Sequence, residues 1–215
     1  PLSWRYTLEM GGHGVLGDLA SHGIDMTRNL LGEVESLVAL TEQFIPTRPV
    51  AQAGTSHYAV GDASGERGAV ENEDYVAAML RTATGVPVMF ESSRCAVGDQ
   101  NNYGFEVHGT QGVMRWDFRR SDELALSTGD DYSNQPTTTL YPGPGMGEYG
   151  AFQPGAGIAI GYDDSKVMEC AAFVQGIQSG HVVGAGILDA VASAEALEAM
   201  VRSAASGAWS DIVPV

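Results

Sequence analysis

The sequence predicts an α+β fold in the order helix, antiparallel sheet, two helices, and three observations carry it. Apolar residues recur with helical spacing over residues 16–31, 165–179 and 187–205. Between the first of these stretches and the other two lie short β-leaning runs joined by tight glycine turns, Thr84-Gly85 and Gly109-Thr110-Gln111-Gly112. Consecutive hairpins build antiparallel pairs, not a parallel sheet made by crossovers.

In chain order, residues 1–10 (PLSWRYTLEM) read as an extended arm leading into glycines, and residues 11–32 as a glycine-rich opening that becomes a helix stopped by Gly32. Residues 35–45 form a strand ended by Pro46. Residues 47–73 show no sustained period and are expected to be a long loop. Residues 75–83 and 86–96 then make one hairpin, residues 103–108 and 113–118 a second, and residues 123–127 a further short strand. Residues 128–164, rich in Gly, Pro, Asp, Thr and Tyr, are a surface excursion. The two closing helices follow, the second ending at Gly207, and the tail from Trp209 is short enough to add only an edge strand.

A chain of 215 residues suits one large domain or two small ones, and 44% apolar with 18% charged residues is enough for a packed core. The formal charge of −16 argues against nucleic acid and anionic membrane surfaces as partners. Cys95 and Cys170 stand in no metal spacing and read as free thiols of a cytoplasmic protein. No run of apolar residues is long enough for a membrane span. The chain opens on Pro1 with neither Met nor a signal-like segment, so it is expected to be a piece of a longer protein.

The chemistry concentrates in residues 11–32. Asp18, His22 and Asp25 stand at i, i+4 and i+7 of the helix and share one face. A carboxylate four residues before an imidazole can orient the ring and fix its tautomer, which makes an acid/base site; a solvated helix face accounts for the same spacing. The small neighbours Ala20, Ser21 and Gly23 leave room around His22. Gly12-His13-Gly14-Val15-Leu16-Gly17 matches the dinucleotide fingerprint in letters, with Glu42 downstream. Its context fails: Trp4 to Glu9 is no buried strand, and hairpins follow where crossovers are required. Asp18, His22 and Asp25, with His13, are also a conceivable divalent-metal set, although their spacing is no recognised motif. The segment Gly143-Pro144-Gly145-Met146-Gly147 lacks the Lys-Ser/Thr of a phosphate loop. His108, within a strand beside a turn, reads as structural; His57 and His181 have no neighbours that assign them a role, and Trp4, Phe152 and Tyr162 serve packing as readily as substrate stacking.

Trp4-Arg5, Gly11-Gly12-x-Gly14-x-Leu16-x-Asp18-Leu19-x-Ser21-His22-x-Ile24-Asp25 and Leu30-Leu31-Gly32-Glu33 together resemble the Gfo/Idh/MocA oxidoreductases. The resemblance runs on through Phe105-Glu106-Val107-x-Gly109-Thr110-x-Gly112, Gly161-Tyr162-x-Asp164 and Ala205-x-Gly207-x-Trp209. It implies that residues 1–215 are the C-terminal substrate-binding and oligomerisation domain, an open and largely antiparallel sheet with helices packed on one face. The Rossmann domain, with the NAD or NADP site and the catalytic Lys of a Glu-Lys-Pro motif, is expected outside this chain. Lys166, in Asp164-Ser165-Lys166-Val167, does not match that motif, so the chain by itself is expected to be inactive.

The same resemblance makes His22 the general acid/base at a substrate hydroxyl and Asp18 the carboxylate that shares or orients its proton. His13, where the family usually has a small residue, either lines the substrate side of this site or caps the approach to the helix; with Arg5, Asp25 and Tyr162 it is a substrate-binding candidate. The expected activity is that of an NAD(P)-dependent dehydrogenase or reductase acting on a sugar, polyol or related hydroxyl or carbonyl compound, with no metal. A dimer or tetramer through the uncovered sheet face is expected, since such a face commonly needs a partner. A non-catalytic binding or assembly protein on the same fold, and a metal-dependent enzyme using Asp18, His22 and Asp25, are the alternatives.

Overall fold

The computed structural model describes residues 1–51, 54 and 61–213; His57 and part of the 47–73 stretch lie outside the described residues. The elements are α1 (Leu8–Gly11), α2 (Ser21–Leu31), β1 (Val34–Glu42), β2 (Thr47–Pro49), β3 (Arg67–Ala69), β4 (Tyr75–Thr82), β5 (Pro87–Ser93), β6 (Gly104–Gly109), β7 (Gly112–Asp117), β8 (Leu124–Thr128), β9 (Thr138–Leu140), α3 (Tyr162–Ser179), α4 (Ile187–Ser206) and β10 (Ser210–Asp211). They fall into two compact units, Pro1–Val97 with Ala185–Val215, and Gly98–Gly184.

The first unit is a sheet in the order β10-β1-β4-β5, every pair antiparallel. Strand alternation decides its two faces. Leu37, Ala39, Val76, Ala78 and Leu80 are buried against Val15, Leu16, Ala20 and Ile24 from the α2 side and Ala196, Ala199 and Met200 from α4. On the opposite face Leu40, Met79 and Met89 remain 53%, 48% and 82% exposed, so the described helices of this unit pack on the other face. Glycine brings α2 close to the sheet: a Cβ on Gly23 would stand 2.6 Å from the Phe90 ring. The hairpin between β4 and β5 turns at Gly85, whose φ of +84° suits glycine.

Among the described residues tail strand β10 pairs with Ser36 and Leu37 of β1, and the Ile212 N–H donates to the Glu35 carbonyl at 2.9 Å. Farther along β1, the Ala39 N–H donates instead to the Ser203 hydroxyl of α4 at 2.9 Å, and that hydroxyl donates on to the Ala208 carbonyl at 2.6 Å. A helix side chain thus takes the place of the missing length of edge strand.

Two expectations are corrected here. Residues 1–10 are not extended: they form a 3-10 turn, Trp4–Tyr6, and α1. The Thr7 hydroxyl donates to the Trp4 carbonyl at 2.9 Å, and the Leu8 N–H finds the distant Glu71 carboxylate at 2.7 Å. The 47–73 stretch is not all loop, because β2 and β3 pair within it as a two-stranded antiparallel ribbon.

The second unit is a sheet in the order β6-β7-β8-β9, again antiparallel throughout. Phe105 stacks on Trp116 across β6 and β7 at a centroid distance of 5.9 Å, and Tyr103 meets Trp116 edge-on. Strand β9 and a 3-10 turn, Gly147–Ala151, lie in what reads from sequence as an irregular excursion. Helices α3 and α4 both start from a glycine whose N–H donates to an Asp three residues on, Gly161 to Asp164 and Gly186 to Asp189, each at 2.8 Å. Among the described residues no helix is long and apolar enough to cross a membrane.

Candidate functional site

The glycine-rich opening is held by four consecutive polar residues, Glu71-Asn72-Glu73-Asp74, just ahead of β4. The Val15 N–H donates to the Glu73 carbonyl at 3.0 Å and the Leu16 N–H to the Glu73 carboxylate at 3.1 Å. Glu73 therefore satisfies amides at the start of the site helix, where Val15 supplies no cap. Asn72 donates from Nδ2 to the Arg5 and Gly12 carbonyls, both at 2.9 Å.

Behind these lies a buried ionic node. Asp74, fully buried, accepts from Arg94 Nε at 3.1 Å and from the Ile45 N–H at 2.8 Å, and Arg48 Nη2 stands 3.6 Å from it. The Arg48 and Arg94 guanidinium carbons each lie 4.5 Å from the Tyr6 ring centroid. Arg94 Nη2 donates to Asn72 Oδ1 at 2.6 Å, closing the node onto the bracket.

This packing explains two of the glycines. A Cβ on Gly14 would meet the Glu73 carbonyl oxygen and stand 2.8 Å from the Arg94 Cζ; one on Gly11 would stand 2.8 Å from backbone atoms of Trp4 and Arg5. They admit the chain's own atoms. The opening follows a 3-10 turn and α1, not a strand. The strand that the Gly12-x-Gly14-x-x-Gly17 fingerprint requires ahead of its first glycine is thus not found among the described residues.

Asp18 and His22 follow directly, both exposed. The predicted continuous helix is divided: Asp18 belongs to a π-helical turn, Leu16–Ala20, and His22 to the first turn of α2. The Ser21 N–H reaches back five residues to the Leu16 carbonyl. That bond makes one turn of the helix wider around Asp18. The Asp18 N–H itself donates to the Gly14 carbonyl at 3.1 Å.

The other candidates have individual surroundings. His13 Nε2 is 3.5 Å from Glu198 of α4, and the Arg5 guanidinium lies 4.9 Å from the Trp4 ring centroid. Asp25 is 3.7 Å from Arg28 and so belongs to a second ionic cluster. There Arg28, 7% exposed, holds Glu33 in a fork of two 2.7 Å bonds and donates to the Asp189 carbonyl at 2.9 Å. The fork holds the Glu33 carboxyl below its ordinary range and raises Arg28 in turn. Tyr162 stands in the second unit, at the start of α3, its ring 5.5 Å from Lys166 Nζ. Among the described residues no three His, Cys, Asp or Glu side chains are grouped to hold a metal ion, so Asp18, His22 and Asp25 do not converge as a ligand set.

The Glu71–Asp74 bracket and Arg94 escape sequence reading. The available signal is a run of four polar residues abutting an apolar strand, with no partner in sequence to explain it.

The family model described as the GFO/IDH/MocA C-terminal domain matches residues 1–115. Levoglucosan dehydrogenase of Pseudarthrobacter phenanthrenivorans is 35% identical over 214 residues, which are 99% of this chain and 55% of that protein. Inositol 2-dehydrogenase of Rhizobium meliloti is 26% identical over 196 residues, 89% of this chain and 48% of that protein. A solved levoglucosan dehydrogenase in complex with NADH and levoglucosan superposes with a TM-score of 0.87 at 32% identity, covering 100% of this chain and 55% of that one. The chain spans about half the length of the curated relatives it matches. It belongs to the GFO/IDH/MocA family and carries that family's C-terminal α+β domain.

Proposed function

We propose that this chain is the substrate-binding and proton-transfer half of an NAD(P)-dependent oxidoreductase acting on a sugar, a polyol or a related hydroxyl or carbonyl compound. The observation that carries the reading is the exposed Asp18/His22 pair on a helical segment anchored by Glu73 and Asn72. The similarity to levoglucosan and inositol dehydrogenases supports the substrate class.

Oxidising an alcohol requires a base for the hydroxyl proton. His22 takes that proton at an imidazole nitrogen, and Asp18 orients the ring and stabilises its charged form. NAD(P), when bound, supplies the hydride acceptor, and its site lies outside this chain. Arg5, His13 and Asp25 are the substrate-binding residues of this reading in the first unit, and Tyr162, in the second, is a candidate on the resemblance alone. Free Cys95 and Cys170 support a cytoplasmic setting.

The test is His22→Ala in the full-length enzyme. Turnover is expected to fall by about 10²–10⁴-fold with NADH affinity unchanged. Full turnover would refute the acid/base assignment. For the chain by itself, an NADH titration followed by nicotinamide fluorescence is expected to show no binding.

One observation favours an assembly role beside the catalytic one. Leu40, Met79 and Met89 form an exposed apolar stripe on the uncovered face of the first sheet, Met79 directly opposite Met89. A dimer or tetramer through this face is expected by light scattering, and a monomer at micromolar concentration counts against it.

A further inference from the structure

We infer that Arg94, at the end of β5, is a positioning residue for the Asp18/His22 pair, acting through the Gly14 loop and not on substrate. The inference rests on the acid/base reading above.

Arg94 is 8% exposed. Its guanidinium binds Asp74 through Nε and Asn72 through Nη2, covers the Tyr6 ring, and lies against Gly14 so closely that a Cβ there has no room. Gly14 is the residue whose carbonyl accepts the Asp18 N–H at 3.1 Å. The path from Arg94 to the acid/base pair is therefore two contacts long: guanidinium to Gly14, and Gly14 to Asp18. Asn72 makes a parallel connection, accepting from Arg94 on one side and donating to the Gly12 carbonyl on the other.

A lysine at position 94 would keep the charge but not the planar fork that binds Asp74 and Asn72 together. Arg48 remains beside Asp74 in such a variant, so the buried carboxylate is not left without a cation. A displaced Gly14 carries Asp18 with it, and a misplacement of about 1 Å at a reacting group costs on the order of 10²-fold in rate.

The experiment uses the full-length protein with Arg94→Lys and His22→Ala, with Asn72→Ala as a second test of the same path. The first readout is amide hydrogen exchange. In Arg94→Lys the Leu16 and Asp18 amides are expected to lose about tenfold or more in protection, while β4 and α4 amides keep theirs. The second is turnover, with NAD+ or NADP+, of a sugar or polyol that the unaltered full-length enzyme oxidises, where kcat falls and KM and cofactor affinity stay within about twofold. A folded Arg94→Lys protein with unchanged Leu16 and Asp18 protection overturns the inference. So does unchanged kcat in that variant while His22→Ala is inactive. Full turnover in His22→Ala removes the acid/base reading and this inference with it. If Arg94→Lys does not fold, Asn72→Ala decides by the same readouts, since it leaves the Asp74–Arg94 ion pair intact.

Discussion

The three glycines of Gly12-x-Gly14-x-x-Gly17 separate two accounts of the loop, because each has a different physical reason to be glycine. In a dinucleotide cradle, alanine at any of them would weaken NADH binding. In the structure described here, Gly14 is excluded from alanine by the Glu73 carbonyl and the Arg94 guanidinium, with no unusual φ. The Glu73 carbonyl is fixed by the Val15 N–H and cannot simply swing away, so Gly14→Ala is an overpacking change worth about 1–3 kcal/mol or somewhat more. Gly12 has open space but a φ of +61° with ψ −131°, so Gly12→Ala costs about 1–3 kcal/mol through the backbone alone. Gly17 has neither constraint: nothing lies within 4 Å of its Cβ position, and it sits inside a helical segment. Gly17→Ala is expected to be neutral or to stabilise by up to about 1 kcal/mol. Urea denaturation of the three variants reads the stabilities, and NADH titration of the full-length variants reads the cofactor site. Loss of stability in Gly17→Ala equal to that in Gly14→Ala, or weakened NADH binding in Gly17→Ala with the fold intact, would refute this account of the loop.

Two further perturbations test the frame around the site. Ser203→Ala removes one buried hydroxyl that serves both the buried Ala39 N–H and the carbonyl of the exposed Ala208. Leaving the buried Ala39 N–H without that bond should lower stability by about 1–3 kcal/mol in urea unfolding, and a loss below about 0.5 kcal/mol would show that the hydroxyl does not hold β1. Glu33, held below its ordinary carboxyl range chiefly by the Arg28 fork, contributes stability that is complete above the unfolded value of about 4.3 and is lost as pH falls through its lower folded value. Its side chain is 63% exposed, so the pair is worth about 1 kcal/mol or less; Glu33→Gln should flatten the stability–pH curve below pH ~4.5, and an unchanged curve would refute the contribution.

What the sequence reveals and what it hides divide along the range of the interactions. Helices α2 and α4, the stops at Gly32 and Gly207, and both hairpins rest on periodicity and turn chemistry within a few residues, and each stands close to its expected place. The four-residue spacing of Asp18 and His22, the pair proposed for acid/base chemistry, is legible for the same reason, being local to one helical segment. The bracket is not legible, because Glu73 reaches Leu16 across 57 residues and Asn72 reaches Gly12 across 60. Glycines with through-space causes look identical in sequence to glycines that admit a ligand, and only the neighbours of Gly11 and Gly14 tell them apart. The π turn has no letter signature of its own. It becomes visible only in the five-residue bond from Ser21 to Leu16.

The remote capping also bears on how the site is assembled. Helix α2 has 11 residues, too few to be stable alone in water, and Gly23 within it weakens it further. Its approach segment starts without a capping side chain from its own neighbourhood and takes one from the residue before Asp74. Ile24, Leu16 and Ala20 are buried only once the sheet is in place. The segment bearing Asp18 and His22 thus acquires its order from β1, β4 and β5 together with α4, so the pair becomes a defined geometry only when this unit folds. Position on a helix supplies the spacing of the two groups, and the sheet behind it supplies their fixity.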